Sequence, residues 1–135
     1  MTSKETSSPK IDRPQRMNRK DRLAIILKRD GNACVWCRRP FDENLIRPTT
    51  EHLVPKIKGG PSWLENELAA CKPCNGLRGH TTVGQWLEEC EQRGWNPNKA
   101  TIIKSLKSLR EAIRLRGGQR RARPYIDAQL RRIDK

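Results

Sequence analysis

The sequence predicts a small α+β fold gathered round a cluster of cysteines, and three observations carry that prediction. Two Cys-x-x-Cys pairs, Cys34 with Cys37 and Cys71 with Cys74, are separated by thirty-three residues. Between them, Ile46 to Val54 reads as a strand and Leu68 to Ala70 as a short returning strand, with Pro55 and the Lys58-Gly59-Gly60-Pro61 run forming the loop that separates them. Outside the pairs the apolar residues recur at helical rather than alternating spacing, which makes the flanks helical.

Taken in order, residues 1–17 are polar and basic with almost nothing to bury, and read as a disordered basic arm. From Asn18 to Arg29, Leu23, Ile26 and Leu27 share one helix face, with Asn18 as the cap and Gly31 as the stop. The second Cys pair runs into a helix beginning over Cys74 to Gly79. A further helix starts at Thr82, where Thr82-x-x-Gln85 resembles a capping box, and places Val83, Trp86, Leu87 and Cys90 on one face, so Cys90 reads as a core thiol. Trp63 and Leu64 are placed to anchor the central loop. After Gly94, Asn96 is expected to cap a helix with Pro97 at its first position, and Ile102, Leu106, Leu109 and Ile113 form its apolar stripe through Arg116. Gly117 and Gly118 break it, and Ile126, Leu130 and Ile133 mark a last short helix. The chain thus divides into the arm, a core over residues 18–95 and a basic helical extension over residues 96–135.

A chain of 135 residues with 34% hydrophobic residues builds one domain with a thin core. A bound metal would add folding energy, because its site exists only in the folded chain. The odd count of five cysteines and the lack of a long apolar run argue against disulfides, a signal peptide or a membrane span. Four thiolates spaced as two knuckles can surround Zn²⁺ tetrahedrally at about 2.3 Å, and a site filled by four protein ligands is structural. Unbound thiols or a redox pair are the alternatives. A reducing cytoplasm, that of a bacterium or a phage-infected host cell, is the expected compartment.

The net charge of +14 is uneven. Residues 1–30 carry nine Lys/Arg against four Asp/Glu, residues 31–98 eight against eight, and residues 99–135 twelve against three. A neutral centre between basic arms suits a protein that grips a polyanion and acts on it. Lys104, Lys107, Arg110, Arg120, Arg121 and Arg123 are the candidate DNA contacts, against the plainer reading of a solubilising surface. The expected partner is DNA, with no membrane, and the chain acts as a monomer or homodimer.

The chemistry is concentrated between Glu51 and His80, which hold both histidines, the second Cys pair, and the asparagines Asn66 and Asn75. Glu51-His52 with Pro55, the Gly59-Gly60 turn, Asn66 within Leu-Glu-Asn, and Cys74-Asn75-x-x-Arg78-Gly79 resemble the HNH nucleases, also called ββα-metal nucleases, in their four-cysteine zinc-containing branch. Glu51 stands where that family more often has Asp. The resemblance covers Cys34 to His80 and implies a ββα-metal, treble-clef-like core with flanking helices. It also implies that His52 is the general base, that Glu51 and the Asn75 amide oxygen hold a catalytic Mg²⁺ or Mn²⁺, that Asn66 braces the loop carrying the base, and that Arg78 contacts a phosphate. His80 is a second candidate ligand. A regular strand would turn Glu51 and His52 to opposite faces, whereas the resemblance implies a distorted strand end that brings them to one site. The chemistry fits phosphodiester hydrolysis: an imidazole accepts a proton near neutral pH, and a hard cation takes oxygen ligands. The main alternative is a four-cysteine zinc module that only binds DNA or RNA; an RNA-processing or ribosome-associated zinc protein is a third reading.

Overall fold

The structure, a computed structural model, describes residues 17–135; the arm expected over residues 1–17 lies outside them apart from Met17. Helix α1 (Arg19–Asp30) starts at Asn18, whose side chain accepts the Asp21 N–H at 2.8 Å, and stops at Gly31, which takes a φ of 103°. That conformation is open to a residue without a Cβ.

The first Cys pair sits in a knuckle closed by the Ala33–Pro40 bridge, and a second small ribbon is closed by Asp42 with Ile46. Strand β1 (Pro48–His52) then pairs antiparallel with β2 (Glu67–Cys71), with Pro48 opposite Cys71 and His52 opposite Glu67. The strand is shorter than the Ile46–Val54 expected. At its front Ile46 is used by the preceding ribbon. At its back Leu53 and Val54 leave the ladder and give their N–H groups to the backbone oxygen and side-chain oxygen of Asn66, each at 2.9 Å.

Strand β2 feeds directly into α2 (Lys72–Arg78), with Pro73 in its first turn, where a missing N–H costs nothing. Helix α3 (Val83–Gln92) is capped by the Thr82 hydroxyl, which accepts from Gln85 N at 3.4 Å. Helix α4 (Lys99–Arg116) is capped by Asn98, accepting from Thr101 N at 3.3 Å, rather than by Asn96. Pro97 is buried ahead of the helix, and Asn98 N donates to Val35 O at 2.9 Å, which ties the helix start to the cysteine knuckle.

Helix α5 (Ala122–Ile133) returns against α3. Gly84 marks the contact: a Cβ there would lie 2.4 Å from Arg132 Cδ, and its N–H donates to Gln129 Oε1 at 2.7 Å. The apolar stripes of α4 and α5 (Ile102, Leu106, Leu109 and Ile113; Ala122, Ile126, Leu130 and Ile133) join Trp36, Leu53, Leu68 and Trp86 in one buried cluster. Residues 96–135 therefore share the core of the preceding segment. Trp36 and Trp86 meet edge to face at a centroid separation of 6.3 Å, at the middle of that cluster.

Candidate active site and metal centre

The sulfurs of Cys34, Cys37, Cys71 and Cys74 all lie within 4.8 Å of one another. The hairpin brings them together: one pair closes the knuckle after α1, the other spans the β2–α2 junction. A tetrahedral Zn²⁺ with ligands at about 2.3 Å places its sulfurs about 3.8 Å apart, and Cys37 and Cys71 are 3.9 Å apart. The donors fit zinc in number, softness and spacing, and the four can hold a zinc ion. Cys34 is lowered to about 4, chiefly by the hydrogen bond from Cys74, whose own thiol is pushed up by the same contact. Arg39 adds a cation, its Nε donating to Cys37 Sγ at 3.3 Å. The fifth cysteine, Cys90, stands apart from the cluster; it is buried in the core, and burial pushes its thiol up to about 12.

His52 closes β1 at the open side of the hairpin. Its Nε2 lies 3.0 Å from Ser62 Oγ and 3.6 Å from Glu67 Oε2. Burial, reinforced by the cations of Lys56, Arg22, Arg19 and Arg78, lowers its pKa to about 4, so at neutral pH the ring is uncharged and the contact with Glu67 is not an ion pair. Glu67 is fully buried and held by Arg22 Nε at 2.6 Å. The following loop is fixed by Asn66, fully buried, whose amide accepts from Val54 N at 2.9 Å and donates to Val54 O at 3.1 Å and Pro61 O at 2.9 Å. Only glycine fits beside it, since a Cβ on Gly60 would lie 1.7 Å from Val54 O.

Glu51 faces the other way. Pairing is regular through His52, so the two side chains leave opposite faces of the ribbon, without the distortion the family pattern implies. The carboxylate is 4% exposed, accepts from Trp36 Nε1 at 2.9 Å and faces Arg78 Nη1 at 3.4 Å, both through Oε2. Burial pushes it up, against the opposing pull of Arg78. Asn75 lies alongside on α2, its amide nitrogen donating to Thr50 O at 3.2 Å, which turns its oxygen away from that strand. His80 lies beyond the end of α2 and is exposed.

Arg78, expected to contact a phosphate, is turned into the protein. It is 1% exposed, and its guanidinium donates to Thr81 O at 3.0 Å, to His52 O and Leu53 O at 2.8 Å each, and to Tyr125 Oη at 3.3 Å. It is a strut that joins β1 to α5. Of the other cations expected on DNA, Lys107 pairs with Asp134 at 2.9 Å and Arg110 lies 3.8 Å from Asp127, while Lys104, Arg120 and Arg123 are exposed. Arg121 donates to Ile57 O, and a Cβ on Gly59 would touch its side chain, so the basic run at the start of α5 lies against the loop that follows His52.

Sequence reading missed Trp36, Ser62, Glu67 and Arg22. Their partners lie ten to forty-five residues away, and only the closed hairpin puts them together. It also missed Lys56, whose cation is among those that lower His52. A groove of about 1220 Å³ runs between α1 and α4 past Ile25, Leu64 and Leu115, and His52, Glu51 and Asn75 do not line it. No helix of the described residues is long and apolar enough to cross a membrane.

No curated protein and no solved structure matches the chain. The family model described as HNH endonuclease matches residues 34–90, a span that starts at the first cysteine of the cluster and takes in His52, Asn66 and Asn75. The four cysteines brought together and the two-stranded hairpin running into α2 lie within that matched span, so residues 34–90 are similar to the HNH endonuclease family.

Proposed function

We propose that this protein is a metal-dependent endonuclease that hydrolyses DNA phosphodiester bonds, with His52 as the general base. The HNH segment supports a nuclease-type function. The observation that carries the finer reading is the placement of His52: a half-buried imidazole at the end of β1, uncharged at neutral pH, with Nε2 3.0 Å from Ser62 Oγ and its following loop pinned by Asn66. A general base must be unprotonated at working pH and held in place. His52 meets both conditions. A module that merely bound nucleic acid would gain more from a charged histidine among its cations.

In this reading His52 takes the proton of a water in line with the scissile bond. Asn66 keeps the loop from moving the ring, and Lys56 with the run Arg120, Arg121 and Arg123 positions the phosphate backbone near it. Lys104, Lys107 and Arg110 lie farther along α4 and add non-specific attraction, weakened for the latter two by their aspartate neighbours. Glu51 and Asn75 offer a carboxylate and an amide oxygen, a donor pair that suits a hard cation; because Glu51 is turned to the face opposite His52 and held by Trp36 and Arg78, its side chain must swing out toward the His52 side for the ion and the base to share one phosphate. Mg²⁺ or Mn²⁺ bound there would offset the negative charge that develops on the phosphoryl and leaving oxygens. His80 is the alternative third ligand. Zinc at the four cysteines holds the hairpin, and thiolates that persist as ligands suit a reducing cytoplasm.

The test is incubation of the purified protein with plasmid DNA in Mg²⁺ or Mn²⁺ against EDTA, alongside His52→Ala, Asn75→Ala and His80→Ala. Metal-dependent nicked or linear product that disappears with His52→Ala, while DNA affinity stays nearly intact, is the expected result. A loss of about 10²–10⁴-fold is usual for a general base. DNA binding without cleavage in any metal would favour the zinc binding module.

A further inference from the structure

Glu67 is a buried carboxylate with one oxygen accounted for and one not. Oε1 takes the Arg22 guanidinium at 2.6 Å, while Oε2, fully buried, has no hydrogen-bond partner in the described structure. An unsatisfied anionic oxygen at full burial is costly and calls for a function. Oε2 lies 3.6 Å from Nε2 of His52, the same ring nitrogen that lies 3.0 Å from Ser62 Oγ.

Both neighbours address one nitrogen, and this excludes a nucleophile–base–acid relay. In such a relay the base meets the hydroxyl with one ring nitrogen and the carboxylate with the other. A serine hydroxyl can donate or accept, so Ser62 alone leaves the tautomer open. A carboxylate can only accept. A lone pair on Nε2 would face the Oε2 anion, whereas a hydrogen on Nε2 faces both acceptors favourably.

We propose that Glu67, locked by Arg22, is a positioning residue that keeps the hydrogen of neutral His52 on Nε2, shared with Ser62 Oγ, and so makes Nδ1 the proton-accepting atom. This deepens the assignment of His52 as base and rests on it only for the catalytic consequence. The tautomer itself does not depend on nuclease activity.

The chain has two histidines, so the ¹⁵N spectrum of the zinc-loaded, histidine-labelled protein contains two rings, and a His80→Gln sample assigns them. At neutral pH the Nε2–H form of His52 should dominate over the Nδ1–H form, since the Glu67 Oε2 anion stands 3.6 Å from Nε2. In Glu67→Gln, the amide oxygen can still accept from Arg22, which turns the amide NH₂ toward Nε2. A donor then stands where the acceptor was. The expected result is a shift toward the Nδ1–H form, with kcat on plasmid DNA falling and KM little changed; Ser62→Ala should weaken the bias without reversing it. An Nδ1–H tautomer in the wild-type protein overturns the proposal without need of any variant. So does a Glu67→Gln protein with unchanged tautomer. If the tautomers behave as stated but no DNA is cut, the positioning by Glu67 stands and the nuclease reading fails.

Discussion

Replacing Arg78 by lysine keeps the charge and removes the fork, and the two roles open to this residue respond to that change in opposite ways. In the structure the guanidinium reaches three backbone carbonyls (His52, Leu53 and Thr81), the Tyr125 hydroxyl and the face of Trp36 at 5.5 Å, beside the Glu51 carboxylate at 3.4 Å. A lysine ammonium is a single point and cannot span acceptors that sit on different sides of a planar group. At least two of the three carbonyls lose their donor. Each buried acceptor so stranded costs about 1–3 kcal/mol, so Arg78→Lys should lose about 3 kcal/mol, and the melting temperature should fall on the order of 10 °C. Arg78→Met also strands Glu51 and should lose about 3–5 kcal/mol, the usual cost of removing one partner of a buried ion pair. Thermal unfolding of the zinc-loaded proteins by circular dichroism reads both. The dependence of DNA affinity on salt supplies the control, because a phosphate contact contributes about 0.9 to the slope of log affinity against log salt and a buried strut contributes nothing. A melting temperature unchanged in Arg78→Lys, with a shallower salt slope in Arg78→Met, would refute the burial argument.

Three further outcomes follow from the same geometry. The purified protein should contain one zinc, and Cys71→Ser should lower both zinc content by elemental analysis and the melting temperature; folded, fully stable protein without zinc would contradict the reading of the cysteine cluster. His52 lowered from its ordinary 6.5 to about 4 means that the unfolded chain binds the proton first, so the stability it contributes is complete above pH 6.5 and is lost as pH falls toward 4. Denaturant unfolding at pH 4.5 against pH 7.5 should show wild type losing about 2–3 kcal/mol more than His52→Gln; equal losses would place the ring in solvent. Ile126→Ala, in the middle of α5, should cost about 2–5 kcal/mol as a core truncation, whereas Arg120→Glu with Arg123→Glu should leave stability alone and flatten the salt slope; a neutral Ile126→Ala would detach the last helix from the core.

Legibility in this chain follows the range of the interaction. The caps at Asn18 and Thr82 are local, three residues from the N–H each satisfies, and sequence finds them. Asn96 fails by two residues because Asn98 is held by a contact to Val35, sixty-three positions back, which no local pattern contains. The cysteine cluster is legible although it spans the hairpin, since only metal binding makes sense of two such pairs. The charged residues of the motif are where sequence misleads, because Glu51, Glu67, Arg22 and Arg78 look like surface chemistry and are all buried. A physical reason lies in the sheet itself. A ribbon of two strands that ends at His52 leaves the carbonyls of His52 and Leu53 without ladder partners while both point into the core, and a buried carbonyl needs a donor. One arginine on α2 can serve both, and its charge then requires a carboxylate, which Glu51 supplies from the inward face of β1. The alternation that turns Glu51 inward is the same alternation that turns His52 outward to the loop. The ion pair that completes the core and the imidazole that faces Ser62 are thus two consequences of one strand register, and a one-residue slip would forfeit both.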